Sequence, residues 1–272
     1  MNRSSRVTGE CATMWQTKEK ALEYLKNALN DNDRIEREVN TLPVGPKTKV
    51  LDIGSGPGIL AIPLAKRVKH VTAVEPSDGM MEVLLERVEG ERLDNVKCVH
   101  KKWEDISVEK DLLPPYDIVI ASYSLGMKNI KDAISSMNQA ASGRVYLYWF
   151  AGLNSWEREM KRLWPSLHGM EYHPGPKADV LFNVLYGMGI CPHVEVSEHE
   201  RLQRYDSIEE AISKFSDHFG IDTQEKHQLM EQHLHNVLER DNGSFVHRGR
   251  STRVKIWWDA NCNNTINKEE NE

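Results

Sequence analysis

Lys49-Val50-Leu51-Asp52-Ile53-Gly54-Ser55-Gly56-Pro57-Gly58-Ile59-Leu60 decides how this chain is read. The apolar run closing on an acid reads as a buried parallel strand. Glycines at 54, 56 and 58 follow, and Ile59-Leu60-Ala61-Ile62-Pro63-Leu64-Ala65 then opens a helix. A strand, a glycine turn and a helix start bring a ligand close to bare backbone. The spacing is G-x-G-x-G. The dinucleotide fingerprint G-x-G-x-x-G asks for glycine or alanine at position 59, where this chain has Ile59.

Outward from the loop, His70-Val71-Thr72-Ala73-Val74 reads as a second buried strand ending in Glu75-Pro76-Ser77. An acid there, about 20 residues past the glycines, is where a doubly wound sheet holds a ribose diol. A Met- and Leu-rich helix runs from Gly79 to Val88, and Val96 to His100 makes a third strand. Lys102-Trp103-Glu104-Asp105 comes next. The fourth strand, Tyr116 to Ala121, runs into Ser122-Tyr123-Ser124-Leu125.

In VLDIGSGPG (50–58), VTAVEPS (71–77), KWEDI (102–106) and YDIVIASYSL (116–125), the chain resembles the class I S-adenosylmethionine-dependent methyltransferases. The segments stand in the family's order and spacing across about half of the chain. The resemblance implies an α/β fold, a Rossmann-like doubly wound sheet of seven strands with the last antiparallel. It implies that Asp52, Gly54 and Gly56 line the methionine moiety of the cofactor, with Ser55 and Gly58 beside it. Glu75 would hold both ribose hydroxyls, and Pro76 and Ser77 would flank the adenine. The Trp103 backbone N–H would meet an adenine ring nitrogen, and Ser122 and Tyr123 would sit near the sulfonium. The family commonly has an Asp just before the residue matching Trp103; here it is Lys102, which leaves Glu104 or Asp105 for the adenine amino group.

Composition bounds the rest. The chain has 272 residues, 39% of them hydrophobic, enough for one large domain or a domain with an elaboration. A net charge of −6 argues against a broad nucleic-acid footprint. Four scattered cysteines (Cys11, Cys98, Cys191, Cys262) form no C-x-x-C pair, so no metal site is expected. Met1 to Glu10 lacks the apolar core of a secretory signal, and no run reaches the ~20 apolar residues that span a bilayer. The expectation is a cytoplasmic protein with no membrane partner.

The expected organisation is a helical leader (1–45), a methyltransferase domain (46–260) with a helical insert over about 206–241, and a polar tail (261–272). In the leader, Trp15 or Tyr24 could reach the cofactor pocket, but plain packing of the helix onto the sheet is the preferred reading. Ile130 to Ala141 reads as a helix ended by Gly143, and Arg144 to Phe150 as the fifth strand. Pro192–Val196 and Arg253–Trp258 fit the sixth and seventh strands. Asp206-Ser207, Gly220 and Thr223 bound two helices of the insert, read as a lid on the substrate mouth.

Methyl transfer from a sulfonium asks the protein to hold a nucleophile in line, exclude water and remove a proton where needed. His173 and Tyr123 are the catalytic candidates, and Trp149, His168, Tyr172, Asn183 and Tyr186 complete the acceptor side. His227, His233 and His235 do not share a helix face, so they make a poor metal site. Base-methylating relatives carry Asn- or Asp-Pro-Pro-Tyr/Phe after the fourth strand, where this chain reads Ala121-Ser122-Tyr123-Ser124. That points to a small-molecule acceptor and away from nucleic acid. A protein or RNA methyltransferase, and a non-catalytic cofactor-binding subunit, are the other two readings.

Overall fold

The computed structural model describes residues 15–261, divided between two compact units. The first takes residues 15–149, 182–194 and 255–261; the second takes 150–181 and 195–254. The sheet runs in the order β3 (Val96–Val99), β2 (His70–Val74), β1 (Lys49–Ile53), β4 (Tyr116–Ser122), β5 (Ala141–Phe150), β8 (Ser244–Asp259), β6 (His193–Tyr205). Seven strands lie on this path. An eighth, β7 (Glu239–Asp241), pairs antiparallel with β8.

In the first unit β3, β2, β1, β4 and β5 are parallel throughout. Strand β8 reverses direction. Gly143 O accepts from Ala260 N at 2.8 Å while Ala151 N donates to Thr252 O at 2.9 Å, so residue numbers fall along β8 as they rise along β5. The pairs Glu200–Arg250 and His193–Trp257 show the same opposed sense for β6 and β8. Val50, Leu51, Val71 and Ala73 are fully buried, which is why β1 and β2 are continuous apolar runs. Thr72 is satisfied in the core by the Tyr116 hydroxyl at 2.8 Å.

The leader is two helices, α1 (Lys18–Leu29) and α2 (Asn32–Asn40), rather than one. Helix α1 packs Ala21 against Met80 and Val83 of α4 (Asp78–Gly90). Thr17 O comes so close to Gly79 that no side chain fits there. Helix α2 puts Ile35 and Val39 into the main core. Gly143, expected to end the helix α6 (Ile130–Ala140), lies inside β5 instead, where a Cβ would collide with Asp117 O. The expected tail beyond 261 lies outside the described residues.

The second unit contains α7 (Ser155–His168), α9 (Ile208–Phe219) and α10 (Gln224–Val237) around Leu163, Phe215, Phe219, Met230 and Leu234. Ser207 caps α9 by accepting from Glu210 N, Gly220 ends it in the left-handed conformation, and Thr223 caps α10. Strands β6 and β8 run much further than the five or six residues expected of them. Their extensions carry Glu198 and Glu200, and Arg248 and Arg250, which give no apolar alternation; pairing makes them strands. Gly249 is required within β8, since a Cβ would lie 2.5 Å from Ser155 Cβ.

Candidate functional site

The loop after β1 uses its three glycines differently. All have positive φ: 67° at Gly54, 56° at Gly56 and 80° at Gly58. A Cβ at Gly54 would strike Ser124, and one at Gly58 would lie 2.7 Å from Leu84 Cδ1. At Gly56 nothing lies within 4 Å, so the backbone there is bare on its open side. Val74 O accepts from both Gly54 N (2.8 Å) and Ser55 N (3.0 Å), tying the loop to the end of β2.

Glu75 leaves β2 and is 5% exposed. Its Oε2 accepts from Gly56 N and its Oε1 from Ser77 N, both at 2.8 Å. Burial raises its pKa, and those two amides oppose the rise. Asp52, at the end of β1, is 2% exposed. Burial first, and Glu75 second, push its pKa up to about 7, with the Ala61 amide working against them. Asp52 Oδ2 and Ser55 Oγ are buried with no hydrogen-bond partner among the described residues. Leaving such atoms unmet costs free energy, which marks the place for a polar ligand.

Tyr123 leaves β4 with φ of 55°, a strained conformation for a bulky residue, held by its N–H donating to Tyr148 O at 3.1 Å. The Arg34 guanidinium stands 6.0 Å from the Tyr123 ring centroid. Arg34 also bonds Glu38 Oε1 at 3.0 Å and Asp31 Oδ2 at 3.2 Å. The Tyr148 phenol lies in the core close to Glu38, and burial raises its pKa.

Asp52, Gly54, Ser55, Gly56, Gly58 and Glu75 therefore come together, at the carboxyl ends of β1 and β2, with Pro76 following. Ser122 and Tyr123 end β4 beside them, next in the sheet order. The Trp103 indole is buried and donates to Ala133 O at 3.1 Å, leaving only its backbone for a ligand. Glu104 Oε1 accepts from Lys128 N at 3.2 Å, which binds it to the loop after β4. Trp15 and Tyr24 pack edge-to-face on the α4 cluster, and Trp15 O accepts from the Ser77 hydroxyl. His173 stands exposed on the segment between α7 and α8 (Ala178–Gly187), in the second unit.

Two residues escaped the sequence reading: Arg34 and Glu38. Ile35 and Val39, four apart and apolar, are the signal that would have found them: they turn α2 onto the core, and Arg34 and Glu38, also four apart, line the flank beside that buried stripe. Among the described residues no cluster of three or more His, Cys, Asp or Glu is placed to hold a metal. An open depression lined by Lys49, Lys69, His70, Leu113 and Pro114 lies at the amino ends of the strands, away from these acids.

Residues 50–142 match the family described as "Methyltransferase domain". An uncharacterized protein of Haemophilus influenzae is 27% identical over 212 residues, 78% of this chain and 76% of that one. A demethylmenaquinone methyltransferase of Clavibacter sepedonicus is 28% identical over 138 residues, half of this chain and 54% of the relative. The crystal structure of the Bacillus YcgJ protein superposes with a TM-score of 0.56 at 15% identity, over 83% of this chain and 98% of that one. A putative methyltransferase of Bacillus halodurans gives the same score at 16% identity, over 85% and 99%. At such identities the structures speak for the fold, and the match over residues 50–142 for a methyltransferase domain.

The residues present fit S-adenosylmethionine. Bare backbone at Gly56, an oriented carboxylate at Glu75 and unmet polar atoms at Asp52 and Ser55 suit a cationic nucleoside ligand. Residues 50–142 are a methyltransferase domain, and its strand order and this site are those of an S-adenosylmethionine-dependent methyltransferase.

Proposed function

We propose that this methyltransferase acts on a small-molecule acceptor. The bound cofactor supplies an activated methyl group and its own thioether leaving group. The chain's residues have the remaining work. Glu75 holds the ribose through oxygens already aimed by Gly56 and Ser77, and Asp52 with the 54–56 backbone holds the methionine end. Pro76, Ser77 and the Trp103 backbone bound the adenine, with Glu104 or Asp105 taking its amino group. Ser122 and Tyr123 face the reacting centre, and His173 of the second unit keeps only its sequence-based candidacy for the acceptor proton.

The observation that carries the acceptor class is the exit of β4. Ala121-Ser122-Tyr123-Ser124 has no paired prolines to clamp a flipped base, and Tyr123 is forced into a left-handed turn beside Arg34. The net charge of −6 also disfavours a polyanionic acceptor. The demethylmenaquinone relative supports the reading. The rRNA small subunit methyltransferase A of Salinibacter ruber matches only 31% of the chain, at 33% identity. Incubation with methyl-labelled S-adenosylmethionine and three acceptor pools tests it: small metabolites, total RNA and denatured protein. Label in the metabolite pool alone is expected. Label in RNA or protein would overturn the acceptor class.

A further inference from the structure

We propose that helix α2 clamps the amino-acid end of the cofactor, Arg34 taking its carboxylate and Glu38 its ammonium group. This rests on the cofactor assignment above and extends the site to the leader, which carries none of the quoted motifs.

Position comes first. In the sheet order β2-β1-β4, neighbouring strands lie about 4.8 Å apart. A ligand with its ribose on Glu75 at the end of β2 crosses β1 at Asp52 and Gly56, and its far end falls toward β4. Helix α2 meets the site there. Arg34 sits over Tyr123 at the end of β4, and Glu38 is near enough to Asp52 to act on its ionisation.

Burial comes second. The Arg34 and Glu38 side chains are only 16% and 11% exposed. An ion pair withdrawn from water to that degree repays little of its desolvation cost in stability alone. Such a pair suits a ligand that brings it a carboxylate and an ammonium group. Arg34 spends Nε on Asp31 and Nη1 on Glu38, and its fork has a further nitrogen for a carboxylate.

Charge comes third. Asp31 and Glu38 flank the Arg34 guanidinium, and Glu38 and Glu75 both act on Asp52. A zwitterion on a cationic sulfonium meets both halves of that pattern, with its carboxylate toward Arg34 and its ammonium toward the acids. Affinity for the amino-acid end then depends on α2, and affinity for the nucleoside end does not.

The experiment compares S-adenosylhomocysteine with 5′-methylthioadenosine, which keeps the nucleoside and thioether but lacks the amino-acid end. Calorimetric titration of the full chain is expected to show homocysteine-form binding at least about 100-fold tighter. Arg34→Gln and Glu38→Gln should each weaken S-adenosylhomocysteine about tenfold or more and leave methylthioadenosine within about twofold. Arg34→Lys, which keeps charge and bulk, should recover part of the loss. Trypsin cleavage after Arg34 and Arg37 should be slowed by S-adenosylhomocysteine and not by methylthioadenosine. Equal weakening of both ligands would mean that α2 acts only by packing, and unchanged affinity for both would place α2 outside the site; either overturns the clamp. Failure of the wild type to bind either ligand would instead overturn the cofactor assignment.

Discussion

The Gly56 amide donates to Glu75 Oε2 at 2.8 Å, so one hydrogen bond joins the glycine loop after β1 to the acid after β2. The carboxylate is thereby aimed before any ligand arrives, with Ser77 N holding its other oxygen. Glu75→Ala leaves both amides unmet and removes the ribose contact. Cofactor affinity should fall at least about tenfold, and stability by about 1–3 kcal/mol. Glu75→Gln should bind as poorly, because its NH₂ faces an amide donor on one side. Calorimetry with S-adenosylhomocysteine and thermal melts check both.

Gly54 and Gly56 differ in what a methyl group would meet. Gly54→Ala collides with Ser124 and should disrupt folding of the loop, seen as a lowered Tm together with lost binding. Gly56→Ala has room, and pays about 1 kcal/mol for its positive φ. It should stay folded yet lose cofactor binding, since the methyl occupies the open side. Normal binding by Gly56→Ala would remove the ligand from that side of the loop.

Asp52 ties the site to pH. Its folded pKa of about 7 exceeds the unfolded value of about 3.9, so the native state holds the proton more tightly. Stability from this group is greatest below about pH 4 and falls as pH rises toward 7. Asp52→Asn should therefore raise the Tm of the free protein at pH 8, by the equivalent of about 2–4 kcal/mol at most, while weakening the cofactor. A cation favours ionised Asp52, so wild-type affinity for S-adenosylmethionine should increase between pH 6 and 8. A flat profile would contradict the placement of Asp52.

In the second unit His233 Nε2 lies 2.7 Å from Glu159 Oε2, both nearly buried. Burial works against the Glu159 charge, but His233 and Arg162 outweigh it and lower its pKa. Its stabilisation is present above about pH 4.3 and lost as pH falls. His247, whose pKa burial lowers, is stabilising above about 6.5 and loses that on protonation in acid. Both signs agree, so this unit should unfold on the acid side. His233→Ala should cost about 1–3 kcal/mol at pH 7 and move acid unfolding to higher pH, followed by circular dichroism.

The sequence made the cofactor half legible because its chemistry needs particular residues at particular spacings. Gly54, Gly56 and Gly58 need positive φ, and Asp52 and Glu75 end adjacent strands, so the pattern survives as text. The caps of the insert helices, Ser207, Gly220 and Thr223, were legible for the same local reason. Arg34 and Glu38 were not, since a charged pair four apart on a helix reads as a solvated face until the fold buries it. The charged arms of β6 and β8 were hidden likewise: they become strands by pairing with one another. Gly143 misled because glycine after a helix suggests a stop, whereas here it admits the close approach of Asp117 O.

The most direct test of the account is calorimetric titration of the purified chain with S-adenosylhomocysteine, with NADH in parallel and Glu75→Ala as the matched variant. The account predicts micromolar binding of S-adenosylhomocysteine, none of NADH, and at least about a tenfold loss in the variant. Binding of NADH alone, or unchanged affinity in Glu75→Ala, would contradict it.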